Sequence, residues 1–557
     1  MSDRLPLQRA YHWEKTTPNA IYMTQPYDGG KTKQYTWKQT LEEARRMAAY
    51  LKSLDLEPGS RIAQLSKNCT HFIITDLAIW MAGHVSVALY PTLNAETVQY
   101  TIEHSESKLI FIGKLDDGPW AEMQKGLPAD IPKISFPKHI SPPNDFDNWE
   151  DIVAKHEPID GSPVRDGDEL AILVYTSGST GRPKGVMHSF NTMTAAADGI
   201  NAIFDISPSD RMLSYLPLAH VFERWVVETG SLALGFQIFF AEALDTFVKD
   251  LGRARPTFFI SVPRLWLKFQ QGVFKKMPPK KLKLFLKIPI LSGIVKKKVL
   301  AGLGLDQVRY AGSGSAPIPP DLIQWYRDLG LELLEGYGMS ENFAYSHISR
   351  PGESRVGYVG RACDGVKCKI SDQGEILVDS PANMLGYYKM EEASKNSFTE
   401  EGFLKTGDRG EIDSKGRLRI TGRVKELFKT SKGKYVAPAP IENLFNSHRL
   451  IEQCCVSGSG QPSAYVVVQL AEEFRGRLSD SSLRAELEPE LQALLKSVNS
   501  QVEHHEHIQF IAVAKDEWAI ENGFLTPTMK IKRNIVDDTY DPKLDAWYGA
   551  KAKVIWE

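Results

Sequence analysis

A buried strand that opens straight into a loop of hydroxyls and glycines narrows the choice of fold more than any other stretch of this sequence. The apolar run Leu170 to Tyr175 reads as that strand. It passes into Thr176-Ser-Gly-Ser-Thr-Gly-Arg-Pro-Lys-Gly-Val186. Tyr175, Thr176, Ser177, Ser179 and Thr180 supply hydroxyl donors, and Gly178, Gly181 and Gly185 let backbone N–H groups approach an anion closely. Lys184 adds a point charge suited to phosphate. The stretch reads as a loop that wraps the phosphates of a nucleotide. It is not a Walker A loop, because Pro183 stands where the second glycine of G-x-x-x-x-G-K-[ST] belongs. The rival reading is a Gly/Ser surface linker, but linkers seldom follow a buried strand and leave through Pro-Lys-Gly.

The chain around this loop alternates strand and helix. Thr36-Trp-Lys-Gln39 has the form of a capping box, and the helix it opens places Leu41, Ala44, Met47, Ala48, Leu51 and Leu54 on one face. A strand at 61–65, a helix at 70–82 and a strand at 85–90 follow. The pattern predicts an α/β protein with doubly wound sheets. The apolar stretch Phe72 to Tyr90 is interrupted by Asp76, Gly83 and His84, so it reads as a buried helix plus a strand rather than a membrane span. Residues 116–168, rich in Pro and Asp, are expected to hold one helix and irregular surface. Alternation resumes with strands at 212–216, 236–241, 258–262 and 308–312, helices at 222–234 and 318–330, and a strand at 331–335. Short strands and glycine turns then predict a β-rich subdomain over about 356–422 within a large lobe, 1–422. Residues 423–557 read as a small α+β lobe with strands at 454–457 and 464–470 and a helix at 481–498. In such folds ligands sit beyond the carboxyl ends of the strands.

Composition closes off other classes. A net charge of -2 over 557 residues argues against bulk nucleic-acid binding. The five cysteines, Cys69, Cys363, Cys368, Cys454 and Cys455, fit neither a disulfide framework nor a zinc spacing, and a reducing cytoplasm is the expected setting. Met1-Ser-Asp-Arg-Leu-Pro lacks the apolar core of a signal peptide. Lys275 to Lys298 contrasts with the rest: nine lysines, no acidic residue, and interleaved Leu284-Phe-Leu and Ile288-Pro-Ile-Leu291. It reads either as a basic amphipathic segment for peripheral contact with an anionic membrane face or as a solvated connector. His504-His-Glu-His507 has no matching ligand cluster and reads as a solvated helix end.

Further motifs follow the loop in order: Gly336-Tyr-Gly-Met-Ser-Glu341, Thr406-Gly-Asp408, Gly422-Arg-Val-Lys-Glu426 and Thr526-Pro-Thr-Met-Lys-Ile-Lys-Arg533. Together with 174–186 they resemble the adenylate-forming superfamily of acyl-CoA synthetases, luciferases and peptide-synthetase adenylation domains. Leu216-Pro-Leu-Ala-His-Val-Phe-Glu-Arg224 is similar to the long-chain fatty acid–CoA ligase branch.

The resemblance implies site residues. Thr176, Ser177, Gly178, Ser179, Thr180, Gly181 and Lys184 would hold ATP phosphates, with Gly314, Ser315, Ala316, Gly336, Gly338 and Ser340 around the nucleotide. Tyr337 would stack on adenine. Glu341, with Thr176, would hold Mg²⁺, which needs few protein carboxylates when phosphates supply the rest. Asp408 and Arg423 would hold the ribose. Lys425 matches the hinge between lobes, and Ser431 and Gly433 would face a coenzyme A channel. Lys530 aligns with the catalytic lysine, although Met529 stands where the widespread form has glycine. A mobile ammonium there can stabilise charge on the α-phosphate and the attacking carboxylate. His220 would sit beside the acyl carboxylate, with a satisfied core histidine as the rival reading. Phe222, Trp225 and Gly312 would line the acyl pocket, with ordinary core packing the rival for Trp225.

The expected activity is ligation of a long-chain fatty acid to coenzyme A through an acyl-adenylate, using ATP and Mg²⁺. Other expectations are a ligase for a short, aromatic or bile acid, a fatty acyl-AMP ligase that loads a carrier protein, and a non-catalytic lipid or nucleotide binder. An acid panel, stalled adenylate without coenzyme A, and loss of motif residues would separate them in turn.

Overall fold

The computed structural model describes residues 4–176, 182–526 and 529–557. The expected phosphate contacts at Ser177, Gly178, Ser179, Thr180 and Gly181 lie outside the described residues.

Among the described residues three sheets form the body of the large lobe and a fourth forms its β-rich subdomain. The widest has eight strands in the order 386–387, 184–189, 170–176, 85–89, 61–65, 109–112, 133–135, 147–148. Its centre is parallel, and only the two pairings made by strand 184–189 are antiparallel. The central strands Val85–Leu89 and Leu109–Ile112 are buried at every residue, as a parallel sheet covered on both faces requires. A second sheet orders strands 258–261, 310–313, 333–337, 347–348 and 361–362, the first three parallel. A third, mixed sheet joins 211–214, 237–240, 21–27 and 31–36.

Local chemistry fixes the elements. Thr36 caps helix Trp37–Ser53: its hydroxyl accepts from the Gln39 amide (3.2 Å) and the Gln39 side chain accepts from the Thr36 amide (2.9 Å). The interrupted apolar stretch forms a wholly buried helix, Thr70–Met81, and the strand Val85–Leu89. Its Asp76 is neutralised in the core by Arg224 at 2.8 Å, which also meets Glu228 at 3.0 Å, all three side chains without exposure.

Two expectations need correction. Residues 116–168 hold two helices, Asp117–Met123 and Trp149–Lys155, and two short strands, Lys133–Ser135 and, at the sheet edge, Asp147–Asn148. Strands this short carry too few side chains to show a period. The helix expected at 222–234 begins at Val221 and is π-helical over Arg224–Thr229. The Thr229 hydroxyl donates to the Arg224 carbonyl (2.9 Å), five residues back, while the Arg224 guanidinium is drawn to Asp76.

An antiparallel sheet of strands 367–370, 375–379, 404–412 and 418–423 leads to the small lobe. That lobe has strands 451–457, 464–470, 508–513 and 554–556. Alternate side chains go to opposite faces. Val456, Val466 and Val468 pack with Leu487 and Leu491 on one side; Cys455, Tyr465 and Val467 pack with Trp518 and Tyr540 on the other.

Candidate active site

The site lies beyond the carboxyl ends of strands 170–176, 310–313 and 333–337, and the charge of Lys530 from the small lobe reaches it. Thr176 and Lys184 are register partners, so the hairpin brings together the two ends of the segment between them. The Lys184 ammonium lies 4.6 Å from the centre of the Tyr387 ring. The Tyr387 hydroxyl in turn donates to Glu341 Oε1 at 2.8 Å. His188, on the same hairpin, reaches the carbonyl of Ser340 through Nε2 at 2.7 Å. A carbonyl only accepts, so that nitrogen carries the proton. Burial holds His188 neutral, its pKa pushed down to about 4. The sequence reading missed both Tyr387 and His188; no motif marks them, and only the pairing of strand 386–387 with 184–189 brings Tyr387 to Glu341.

Gly336 and Tyr337 end their strand and pair with Ile348 and His347. At Gly338 a β-carbon would stand 2.3 Å from the Ala344 carbonyl oxygen, so no larger residue fits. The turn after it is strained, with Phe343 at φ 50° and Ala344 at φ 59°. Ser315 also takes a left-handed φ of 68°, between Gly314 and Ala316 at the cleft. Beneath them Glu335 is buried and its carboxyl is pushed up to about 8 by that burial, although the Ile318 amide binds it.

The Asp408 carboxylate is held at both oxygens: Arg423 Nε donates to Oδ1 at 2.8 Å and the Tyr337 hydroxyl to Oδ2 at 2.7 Å. Each carboxylate oxygen has a second lone pair for a further donor. The Tyr337 ring packs against the apolar core of the subdomain that carries Asp408.

His220 caps the helix start at Val221, its Nδ1 accepting from the Phe222 amide at 3.1 Å. The remaining proton is therefore on Nε2. Burial first, and the nearby charge of Lys530 second, hold His220 neutral with its pKa lowered to about 4. Phe222 packs beside Gly314, whose β-carbon would meet the ring at 3.4 Å. Gly312 accepts from the Trp266 indole at 3.1 Å. The Trp225 indole donates to the Ala196 carbonyl at 2.6 Å and its ring meets Tyr345 edge-on.

Lys530 comes from the small lobe. Its backbone is pinned to Thr526, which donates to the Lys530 carbonyl at 2.8 Å. Its side chain is open to the cleft. The surrounding protein and then the Arg423 charge lower its pKa, against the opposite pull of Asp408, Glu341 and Glu426. Lys532 instead precedes the helix Arg533–Tyr540 and donates its amide to Phe524. Lys425 lies exposed in the turn Val424–Glu426. Ser431 and Gly433 bond to Gln461 and Thr430 within the small lobe, not to this cleft. His504–Glu506 is an exposed single turn, and no three potential metal ligands cluster among the described residues.

The donor set fits a hard cation held mainly by phosphate: Tyr387 occupies one oxygen of Glu341, which leaves the other, with the Thr176 hydroxyl at the loop entry.

Fold and cleft define a two-lobed α/β chain in which the small lobe brings Lys530 close to His220, Asp408 and Glu341 of the large lobe. Residues 10–388 match the AMP-binding enzyme family model and residues 426–552 match the AMP-binding enzyme C-terminal domain. The chain belongs to the AMP-binding enzyme family. It is 30% identical to the long-chain-fatty-acid–CoA ligase FadD15 of Mycobacterium bovis, covering 97% of this chain and 96% of that protein. It is 30% identical to fatty acyl-CoA synthetase A of Dictyostelium discoideum, over 93% of this chain and 87% of that one. In fold it is similar to the A domain of carboxylic acid reductase from Segniliparus rugosus, solved with AMP and a co-purified carboxylic acid. The TM-score is 0.80, at 21% identity, over 98% of this chain and 94% of that one.

Proposed function

We propose that this protein is an ATP-dependent acid–thiol ligase that joins a long-chain fatty acid to coenzyme A. The observation that carries the reading is a single cleft in which Arg423 and Tyr337 hold Asp408, Tyr387 holds Glu341, and the charge of Lys530 from the small lobe reaches His220, Asp408 and Glu341. The acid's carboxylate attacks the α-phosphate of ATP and pyrophosphate leaves. Lys530 supplies positive charge to the entering oxygen and the phosphate. His220, neutral with its proton on Nε2, donates a hydrogen bond toward the carboxylate without adding charge. Asp408 and Arg423 hold the ribose, and Lys184 and the loop hold the outer phosphates. Mg²⁺ at Glu341 neutralises phosphate charge when bound. Turning about Lys425 withdraws Lys530 and brings Ser431 and Gly433 to the cleft, where coenzyme A takes the acyl group and AMP leaves. An acyl-adenylate hydrolyses easily, so the closed lobes also serve to exclude water.

Phe222, Trp225 and Gly312 line the acyl chain's path in this reading. The setting is cytoplasmic, which five unpaired cysteines support. No helix among the described residues is long and apolar enough to cross a membrane. Contact with lipid is instead peripheral, through Lys275–Lys298, where Leu284, Ile288, Ile290 and Ile294 stand exposed among lysines.

The test is AMP release with coenzyme A and saturated acids of graded length. Release should be fastest with long chains. Faster release with benzoate, acetate or a bile acid would contradict the substrate assignment, and adenylate that accumulates but never passes to coenzyme A would contradict the ligase reading.

A further inference from the structure

Away from the Asp408–Arg423 pair at the junction itself, the ion pairs that join the two lobes among the described residues all involve helix Pro263–Lys276. Arg264 at its start pairs with Glu452 of the small lobe, and Lys275 at its end meets Glu473 at 3.5 Å. The two pairs differ in setting. Lys275 and Glu473 are both largely exposed, at 75% and 54%, and such a pair contributes little. Glu452 keeps only 13% of its exposure and is shared with Arg475 at 3.8 Å.

Arg264 is also rigidly mounted. Two residues on, Trp266 is fully buried, its indole donating to Gly312 at 3.1 Å and its carbonyl accepting from Tyr326 at 2.7 Å. Gly312 lies on the strand that runs into Gly314–Ala316 at the nucleotide cleft. On the other side Glu452 belongs to strand Ile451–Ser457. The Val456 carbonyl of that strand accepts from Arg533 at 3.1 Å, three residues beyond Lys530. One continuous chain of contacts therefore runs from the nucleotide cleft through Arg264 and Glu452 back to the segment that carries Lys530.

We propose that Arg264 is a positioning residue for adenylation. By holding Glu452 it fixes the small lobe in the orientation that brings Lys530 to His220 and Glu341, and the pair parts when the lobe turns for thioester formation. The inference rests on the two-step reading above.

Charge reversal tests it. Arg264→Glu, Glu452→Arg and the double reversal are compared in two assays: acid-dependent exchange of pyrophosphate into ATP, and single-turnover thioester formation from synthetic acyl-adenylate and coenzyme A. Each single reversal should slow exchange by about tenfold or more, and leave thioester formation within about twofold. The double reversal should recover at least about a third of the original exchange rate. Arg264→Gln, which adds no repulsion, should give a smaller loss with the same split. Single reversals that leave exchange unchanged, equal loss in both assays, or no recovery in the double reversal would overturn the proposal. Absence of exchange in the unaltered protein with every acid would instead overturn the two-step reading beneath it.

Discussion

At the scale of single residues, Met529 is the departure from the superfamily pattern that the structure explains. The widespread form has glycine before the lysine, and Met529 takes the left-handed φ of 61° that glycine adopts without cost. Its side chain is 49% exposed and so has little packing to offset that strain. Met529→Gly should therefore be more stable than Met529→Ala by about 0.5–1 kcal/mol, the left-handed penalty less the entropy of the freer glycine. Urea unfolding of both variants checks this, and a more stable alanine variant would contradict it. Motifs mark Glu341, Asp408 and Lys530 in the sequence, and the fold gathers those three at one cleft. Residue chemistry was not legible for Tyr387 or His188, whose hydrogen bonds to Glu341 and Ser340 span 46 and 152 residues of chain. The proton positions on His220 and His188 also had to wait for their partners to be seen.

At the scale of elements, the capping box at Thr36 and the strand–helix alternation were readable because each is set by neighbours a few residues apart. The π-helical turn over Arg224–Thr229 was not, since it depends on Asp76, 148 residues away from Arg224. The basic segment resolves into helices Pro279–Leu286 and Pro289–Gly302, each opened by proline at its first position. Each contributes one buried residue, Leu282 and Val295. Ile290 is left 85% exposed and Leu284 58% exposed. Apolar tips ringed by lysines suit the boundary of an anionic bilayer, where each lysine near the surface contributes about 1 kcal/mol at low salt. Replacing Lys280, Lys281, Lys283 and Lys287 by glutamine should lower partition onto phosphatidylserine vesicles by about two orders of magnitude or more, while AMP release with a soluble acid stays unchanged. Partition that does not change in a sedimentation assay would retire the membrane contact.

At the scale of the molecule, buried titratable groups tie stability to pH. His188, His220 and His347 are held down to about 4, chiefly by burial, while Glu223 and Glu335 are pushed up to about 8 by the same cause. From the unfolded glutamate value of 4.5 up to 6.5, the folded carboxyls keep protons that the unfolded chain loses, and the unfolded histidines hold protons that the folded ones refuse. The two effects oppose, and with three such histidines against two carboxyls stability rises gently with pH over this range. Above 6.5 the histidines are neutral in both states and only the carboxyls differ. Stability then falls with rising pH until about 8, by about 1.4 kcal/mol per pH unit for each carboxyl. Unfolding by urea at pH 5.5, 6.5 and 8 checks this; stability that rises from 6.5 to 8 would contradict it. The two-lobed α/β architecture was readable at this scale, because hydrophobic periodicity records which faces are covered. The orientation of the lobes was not, because it rests on a few contacts, Arg264 with Glu452 among them. The proposed function depends above all on Lys530, carried by the small lobe, activating a carboxylate on the α-phosphate of ATP. Pyrophosphate exchange into ATP, driven by a long-chain acid without coenzyme A, measures that step alone. The unaltered protein should exchange and Lys530→Ala should not, while still converting supplied acyl-adenylate to acyl-CoA; exchange that survives the loss of Lys530 would contradict that role.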